Sequence, residues 1–376
     1  MKLMVVFGTR PEVIKLAPVI EAARHLDGIE LLSCSTGQHR QMLDQALACF
    51  GLQADIDLDL MRENQTLPEL TARLIEHLTL TYQQHRPDAV VVQGDTTTAF
   101  AGALAAFYQR IPVAHVEAGL RTGDPYSPFP EEINRAMIAR LARWHFTPTV
   151  QASRNLLAEG ISPEHITLCG NTVIDAIGLI RQKWAQHPYQ GEAADLFPDQ
   201  DVVLVTTHRR ENFGQGLENI CEALLQLGRE YPQLGFVFPV HLNPQVQEVV
   251  YQRLADIPNL RLIPPVDFET SLYLQSRSVL ILTDSGGIQE EAPSFSVPAV
   301  VMRQHTERRE GIDAGFATLA GTDVDPILEA ARGWLRAPER RARLQGQPNP
   351  YGDGQASQRM LQVLLNEGSG AGHGHR

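Results

Sequence analysis

The chain has 376 residues, 43% hydrophobic and 20% charged, with a formal net charge of −12. That length exceeds one core and predicts two α/β-sized domains, while the acidic balance argues against nucleic acid and anionic membranes as main partners. The four cysteines (Cys34, Cys49, Cys169, Cys221) are dispersed without a CxxC pair, so neither a disulfide frame nor a zinc site is indicated. No run approaches the roughly 18 apolar residues of a membrane span. The apolar run at 3–7 is too short for a signal peptide, so a cytoplasmic soluble protein is expected.

In chain order, apolar runs near 3–7, 29–34, 89–93, 112–116 and 164–168 alternate with helical patterns, which predicts parallel strands covered on both faces. A polar, Pro-containing stretch at 187–200 precedes a second series at 202–206, 236–240, 260–263, 279–283 and 298–302. The expected fold class is α/β: two Rossmann-like, doubly wound domains facing across a cleft, with ligands at the carboxyl ends of the strands. Asn349-Pro350-Tyr351-Gly352-Asp353-Gly354 reads as a crossing point, after which the last helix returns to the first domain. The predicted domains are 1–170 plus 354–367, and 171–353, with 368–376 a flexible tail.

The strand ends carry the polar motifs. Gly8-Thr9-Arg10-Pro11-Glu12 follows the first run, with Lys15 in the next helical turn. Cations at a helix N-terminus oppose its dipole and call for an anion nearby. In Gln93-Gly94-Asp95-Thr96-Thr97-Thr98, Asp95 reads equally as a helix cap or a catalytic carboxylate. His115-Val116-Glu117 and Pro130-Glu131-Glu132-Ile133-Asn134-Arg135 come next. His115 and Glu117 are expected on one face of a strand, and burying both for packing alone would be costly, which favours a site. No third ligand accompanies them, so no metal is expected.

The second series repeats the pattern with Thr206-Thr207-His208-Arg209-Arg210-Glu211-Asn212 and Pro239-Val240-His241-Leu242-Asn243-Pro244. Arg209 and Arg210 again call for an anion. Gly214-Gln215-Gly216 lacks the third glycine of a dinucleotide fingerprint and does not directly follow a strand, so NAD is rejected and no cofactor is expected. Asp284-Ser285-Gly286-Gly287 turns the chain from a buried strand into a helix whose free N–H groups suit a phosphate. One turn further, Glu290 and Glu291 are placed to accept from sugar hydroxyls, and the combination predicts a nucleoside diphosphate. Arg308, in the stretch 303–311, adds a cation.

Gly8 to Glu12, Thr36-Gly37-Gln38-His39-Arg40, Gln93 to Thr97, His115-Val116-Glu117-Ala118-Gly119-Leu120-Arg121, Thr207 to Asn212, Leu282 to Pro293 and Asn349 to Gly354 resemble motifs of the non-hydrolysing UDP-N-acetylglucosamine 2-epimerases. The likeness runs in order over essentially the whole chain up to the tail. It implies a glycosyltransferase-B-like fold, UDP held mainly by the second domain, and interconversion of UDP-GlcNAc and UDP-ManNAc by a homodimer supplying cell-surface polysaccharide synthesis. It implies catalytic carboxylates at Asp95, Glu117 and Glu131, with His208 as a further polar group. Substrate and UDP contacts are implied for Arg10, Lys15, Arg135, Arg209, His241, Asn243, Ser285, Gly286, Gly287, Glu291 and Arg308, with Glu291 on the ribose. Gln38, His39 and Gln41 match a regulatory pocket. Asn64 stands where many relatives carry an Arg that helps bind a second, activating UDP-GlcNAc, which leaves allosteric activation open. Arg309 in place of a common Pro, and Gln304-His305 in place of Asp/Asn-Thr, are further departures.

The C2 proton of an N-acetylhexosamine has no adjacent carbonyl to acidify it. The resemblance points to elimination of UDP across C1–C2, giving a 2-acetamidoglucal, and re-addition. That route needs donors for the departing diphosphate and carboxylates of separated pKa for the two faces of C2. A hydrolysing epimerase and a UDP-sugar glycosyltransferase of the same fold are the alternatives.

Overall fold

A computed structural model of the chain describes residues 1–37, 40–62, 65–209 and 212–368. The chain divides into two compact units: Met1–Ile180 with the segment from Gly352 onward, and Arg181–Tyr351. The first division falls inside the helix Thr172–Gln186.

Among the described residues, the first unit holds β1 (Lys2–Phe7), β2 (Glu30–Ser35), β3 (Ile56–Asp57), β4 (Ala89–Gln93), β5 (Val113–Val116), β6 (Trp144–Thr147) and β7 (Ile166–Leu168). They pair in parallel in the order β3-β2-β1-β4-β5-β6-β7. Residues 3–7 of β1 are all buried, as a strand covered on both faces by helices must be. The winding reverses between β1 and β4, so the loops after these two strands diverge and leave the crevice where α/β sheets bind ligands.

The helix Arg10–Arg24 buries Val13, Leu16, Ala17, Val19 and Ile20. The last helix, Ala356–Gly368, buries Met360, Leu361 and Leu364 in the same cluster. Each such side chain contributes roughly 1.5–3 kcal/mol by leaving water, which anchors the returning chain on this unit. Its first N–H groups have no partner within the helix, and Asp175 supplies one: its carboxylate accepts from Ala356 N at 3.3 Å and Ser357 N at 2.8 Å.

The second unit holds β8 (Val202–Thr206), β9 (Gly235–Pro239), β10 (Leu260–Ile263), β11 (Ser278–Thr283), β12 (Ala299–Val301) and β13 (Ala317–Leu319) among the described residues. The parallel order is β10-β9-β8-β11-β12-β13, the same winding with its reversal between β8 and β11. Helices Gln215–Glu230 and Val324–Leu335 cover one face with Ile220, Leu224, Leu227, Ile327 and Trp334. No helix among the described residues is long and apolar enough to cross a membrane.

Ten of these strands coincide closely with the apolar runs, whereas β3, β6 and β13 have no counterpart among them. β3 and β13 are edge strands of two and three residues. β6 reads Trp144-His145-Phe146-Thr147, with a histidine and a threonine buried where an aliphatic run would be expected.

Candidate active site

In the first unit, polar side chains gather at the carboxyl ends of β1, β4 and β5. The chain leaves β5 through Glu117, whose φ of 62° lies in the left-handed region that side chains other than glycine rarely adopt. Strain of about 1–3 kcal/mol at such a residue persists only where the surroundings impose it. The turn is enforced two residues on. Gly119 has φ 88°, and a Cβ there would lie 2.2 Å from the Ala152 carbonyl oxygen, so only glycine fits. The left-handed turn takes Glu117 out of the strand alternation and brings its carboxylate to Lys15, with Nζ to Oε1 at 2.5 Å; the Gln93 amide donates to its other oxygen. This ion pair is largely buried, the side chains being 15% and 7% exposed.

After β4, Asp95 is paired with Arg135, and Arg135 also lies 3.4 Å from the Glu132 carboxylate. Burial raises the Asp95 pKa, Arg135 pulls it down, Glu117 and Glu131 push it up, and the net shift is upward. Glu132 itself is consumed by the fold, accepting from Thr122 N at 3.1 Å and Gly123 N at 3.0 Å. Glu131 is the first residue of the helix Glu131–Leu141 and makes no side-chain hydrogen bond or ion pair among the described residues. A carboxylate is electrostatically favoured at that end of a helix. Arg10, half-buried in the first turn of its own helix, is likewise without a side-chain partner there.

The second unit's group forms where β8 and β11 part. Asp284 is fully buried at the end of β11 and accepts from Thr207 Oγ1 at 3.0 Å, His208 N at 3.1 Å, Arg209 N at 3.0 Å and Asn212 Nδ2 at 2.9 Å. His208 Nδ1 stands 3.2 Å from its other oxygen. Burial opposes ionisation of Asp284, but the hydrogen bonds and charge of His208, with the backbone donors, outweigh it and hold the pKa below the ordinary carboxylate value. Ser285–Gly287 follows. The Arg308 guanidinium lies against Gly286, where a Cβ would sit 3.0 Å from its Cζ. Arg308 Nε donates to Glu290 at 3.0 Å and its Nη1 to Glu307. Glu291 accepts from Gln275 Nε2 at 2.6 Å. The buried Nε of Arg209 finds no hydrogen-bond partner among the described residues. A buried cationic donor left unpaired is costly, and an anionic ligand would satisfy it.

Comparison with known proteins places this arrangement. The family model for UDP-N-acetylglucosamine 2-epimerase matches residues 21–365. A UDP-N-acetylglucosamine 2-epimerase from Yersinia pestis is 47% identical over 371 residues, covering 97% of this chain and 99% of the relative. The chain belongs to the UDP-N-acetylglucosamine 2-epimerase family. The crystal structure of the Neisseria meningitidis enzyme, bound to UDP-GlcNAc, superposes with a TM-score of 0.91 at 45% identity over 97% of this chain and 100% of that one. The Methanocaldococcus jannaschii enzyme, in complex with UDP-GlcNAc and UDP, gives 0.81 at 32% identity over 97% and 100%. The α/β architecture of two doubly wound sheets and the epimerase family are those expected; the glycosyltransferase alternative is not supported.

Within this epimerase, several expectations need revision. The helix after β4 is capped by Thr96, whose Oγ1 accepts from Ala99 N at 3.0 Å, not by Asp95, because Asp95 turns to Arg135. The helix after β11 begins at Gly286, inside the Asp284–Gly287 stretch expected to form the turn. His115 does not share a face with Glu117; it is buried and its Nε2 donates to Gly94 O at 2.7 Å. Asn243 caps the helix Pro244–Leu254 through Gln245 N at 2.9 Å, and its own N–H donates to Nδ1 of exposed His241 at 3.1 Å. Glu290 is taken up by Arg308, so its carboxylate is engaged inside the protein and not left for sugar hydroxyls. Gln38, His39 and Asn64, the side chain of Gln41, and the tail 369–376 lie outside the described residues. Two residues of the site were not singled out from the sequence for what they do here, Glu12 and Asp284. Their only signal is that each is a carboxylate beside a glycine-rich strand end, with partners more than 70 residues away for Asp284 and 84 away for the Glu12–Thr96 pair.

Proposed function

We propose that this chain interconverts UDP-GlcNAc and UDP-ManNAc by eliminating UDP and adding it back. A base removes the C2 proton as the C1–O bond to UDP breaks, leaving a 2-acetamidoglucal and free UDP held in place. UDP then re-adds at C1 while a proton is delivered to the opposite face of C2. The observation that carries this reading is the unlike setting of Asp95 and Glu117. Asp95 has a pKa pushed up, whereas Glu117 is locked to Lys15 and Gln93. Separating the proton affinities of neighbouring carboxylates is how one site supplies both an acid and a base.

In this reading Asp95, Glu117 and Glu131 handle protons at the sugar, with Arg135 setting the Asp95 carboxylate. In the second unit Arg209, Arg308 and the Ser285–Gly287 turn take up charge on the departing diphosphate, and in the first unit Arg10 and Lys15 supply positive charge for an anionic substrate. Glu291 receives the ribose hydroxyls, and His208, His241 and Asn243 line the nucleotide's path. The relatives' names and the ligands in the Neisseria and Methanocaldococcus structures support the substrate assignment. A homodimer working in the cytoplasm completes the reading; Leu80, Phe107 and Tyr108, exposed on two helices that pack together, offer an apolar face for a second copy. Incubation with UDP-GlcNAc in deuterated water tests it. Deuterium should enter at C2 of both epimers with UDP still attached, and release of free ManNAc or absence of exchange would refute it.

A further inference from the structure

The turn Gly94–Asp95–Thr96 is held at each of its three residues by a different buried side chain. His115, on β5, donates from Nε2 to Gly94 O at 2.7 Å. Asn134, in the helix Glu131–Leu141, donates from Nδ2 to Asp95 O at 2.9 Å. Glu12, in the helix after β1, accepts from Thr96 Oγ1 at 2.7 Å. Relative exposures are 0% for His115, 6% for Asn134 and 0% for Glu12. Three elements, the helix after β1, the strand β5 and the helix that follows β5, thus converge on one turn of three residues.

We propose that Glu12, His115 and Asn134 are positioning residues that jointly fix this turn and, through it, the Asp95 carboxylate. The inference rests on the reading that Asp95 transfers a proton. Packing alone does not call for these groups, since burying a carboxyl costs several kcal/mol that an aliphatic side chain would not incur. The other oxygen of Glu12 accepts from Gly8 N at 3.0 Å, Thr9 N at 2.8 Å and Thr9 Oγ1 at 2.7 Å, so the same carboxylate ties the loop after β1 to the loop after β4. Thr96 passes the restraint on. Its hydroxyl donates to Glu12 while accepting from Ala99 N, which fixes the start of the helix Thr97–Tyr108 and the residue immediately before it. His115 can only donate to a carbonyl, so its Nε2 carries the proton. Burial pushes its pKa down to about 3, and the ring stays neutral at working pH. The Asp95 side chain then needs only Arg135 to complete its orientation.

A reacting carboxylate must be held to a fraction of an ångström, and misplacement by about 1 Å costs on the order of 100-fold in rate. Thr96→Val and Glu12→Gln should each lower kcat about 10- to 100-fold, while KM for UDP-GlcNAc and the Kd for UDP stay within about twofold of wild type, because the nucleotide contacts assigned to Ser285–Gly287 and Arg209 are untouched. Thr96→Ser, which returns the hydroxyl, should recover most of the rate. A purely architectural role would lower Tm and leave kcat per UDP-binding site unchanged. Asp95→Asn is measured alongside. Loss of turnover in Asp95→Asn with full kcat in Thr96→Val and Glu12→Gln overturns the positioning role alone; wild-type turnover in Asp95→Asn removes the catalytic reading itself. Should Glu12→Gln fail to fold, the Thr96 pair decides.

Discussion

In the first unit the parting of the sheet is bridged from the β1 side, by Glu12 reaching Thr96 beyond β4. In the second it is bridged from the opposite side, by Asp284 at the end of β11 gathering Thr207, His208, Arg209 and Asn212 beyond β8. Both carboxylates are completely buried, and both collect several donors. Their proton affinities nevertheless move in opposite directions. Burial pushes Glu12 up to about 7, against the hydrogen bonds from Thr9, Thr96 and Gly8. Asp284 is pulled below its ordinary value once the imidazole of His208 is added to its backbone donors. At Glu12 the hydrogen bonds do not offset the loss of water around the charge, whereas at Asp284 the hydrogen bonds and charge of His208, with the backbone donors, do. The second unit therefore keeps a permanent anion that organises a loop containing His208 and Arg209. The first keeps a carboxyl poised to titrate near neutrality.

Removing the permanent anion should have the largest effect. Asp284→Asn keeps the shape but turns one acceptor into a donor facing N–H groups, and should cost about 3 kcal/mol of stability. The Kd for UDP should rise roughly 100-fold as the His208–Arg209 loop loses its anchor. Calorimetry showing wild-type UDP affinity would mean that the loop is ordered by something else.

Glu12 predicts a pH dependence of opposite sense. Its folded pKa of about 7 lies above the ordinary 4.5, so the folded chain holds the proton more tightly. The associated stability is fully present below about pH 4.5 and is lost as pH rises through about 7, amounting to roughly 3 kcal/mol across the window. The difference in urea-unfolding free energy between wild type and Glu12→Gln should change by that amount from pH 4.5 to 8. A constant difference would place the titration on another group.

Gly286→Ala should have the smallest effect. The new Cβ would stand 3.0 Å from the Arg308 guanidinium and displace it. If Arg308 meets the diphosphate, UDP affinity should fall about tenfold, equivalent to about 1.4 kcal/mol. Unchanged affinity would take Arg308 out of the nucleotide site and leave the contrast between the units resting on Asp284 alone.

Much of this was legible in the residues. Continuous aliphatic runs such as 3–7 and 279–283 announce strands covered on both faces, and glycine-rich polar motifs at their carboxyl ends mark where ligands belong. The strands without such runs, β6 above all, stayed hidden because their burial depends on neighbours rather than composition. Strand alternation put His115 and Glu117 on one face, and the left-handed turn at Glu117 undid that. Asn243 shows the same limit: a polar residue after a strand reads as a ligand contact, and only the fold shows that its side chain also caps a helix.

By itself the sequence determined the parallel α/β winding, the positions of the polar strand ends and the family to which they belong. Those follow from periodicity and local motif, which act over a few residues. Only the tertiary structure decided which polar groups are consumed inside the protein and which remain to meet a substrate. Glu12 with Thr96, Lys15 with Glu117 and Asp284 with Arg209 are pairs separated by 84, 102 and 75 residues, and a hydrogen bond depends on proximity in space, which no local pattern encodes.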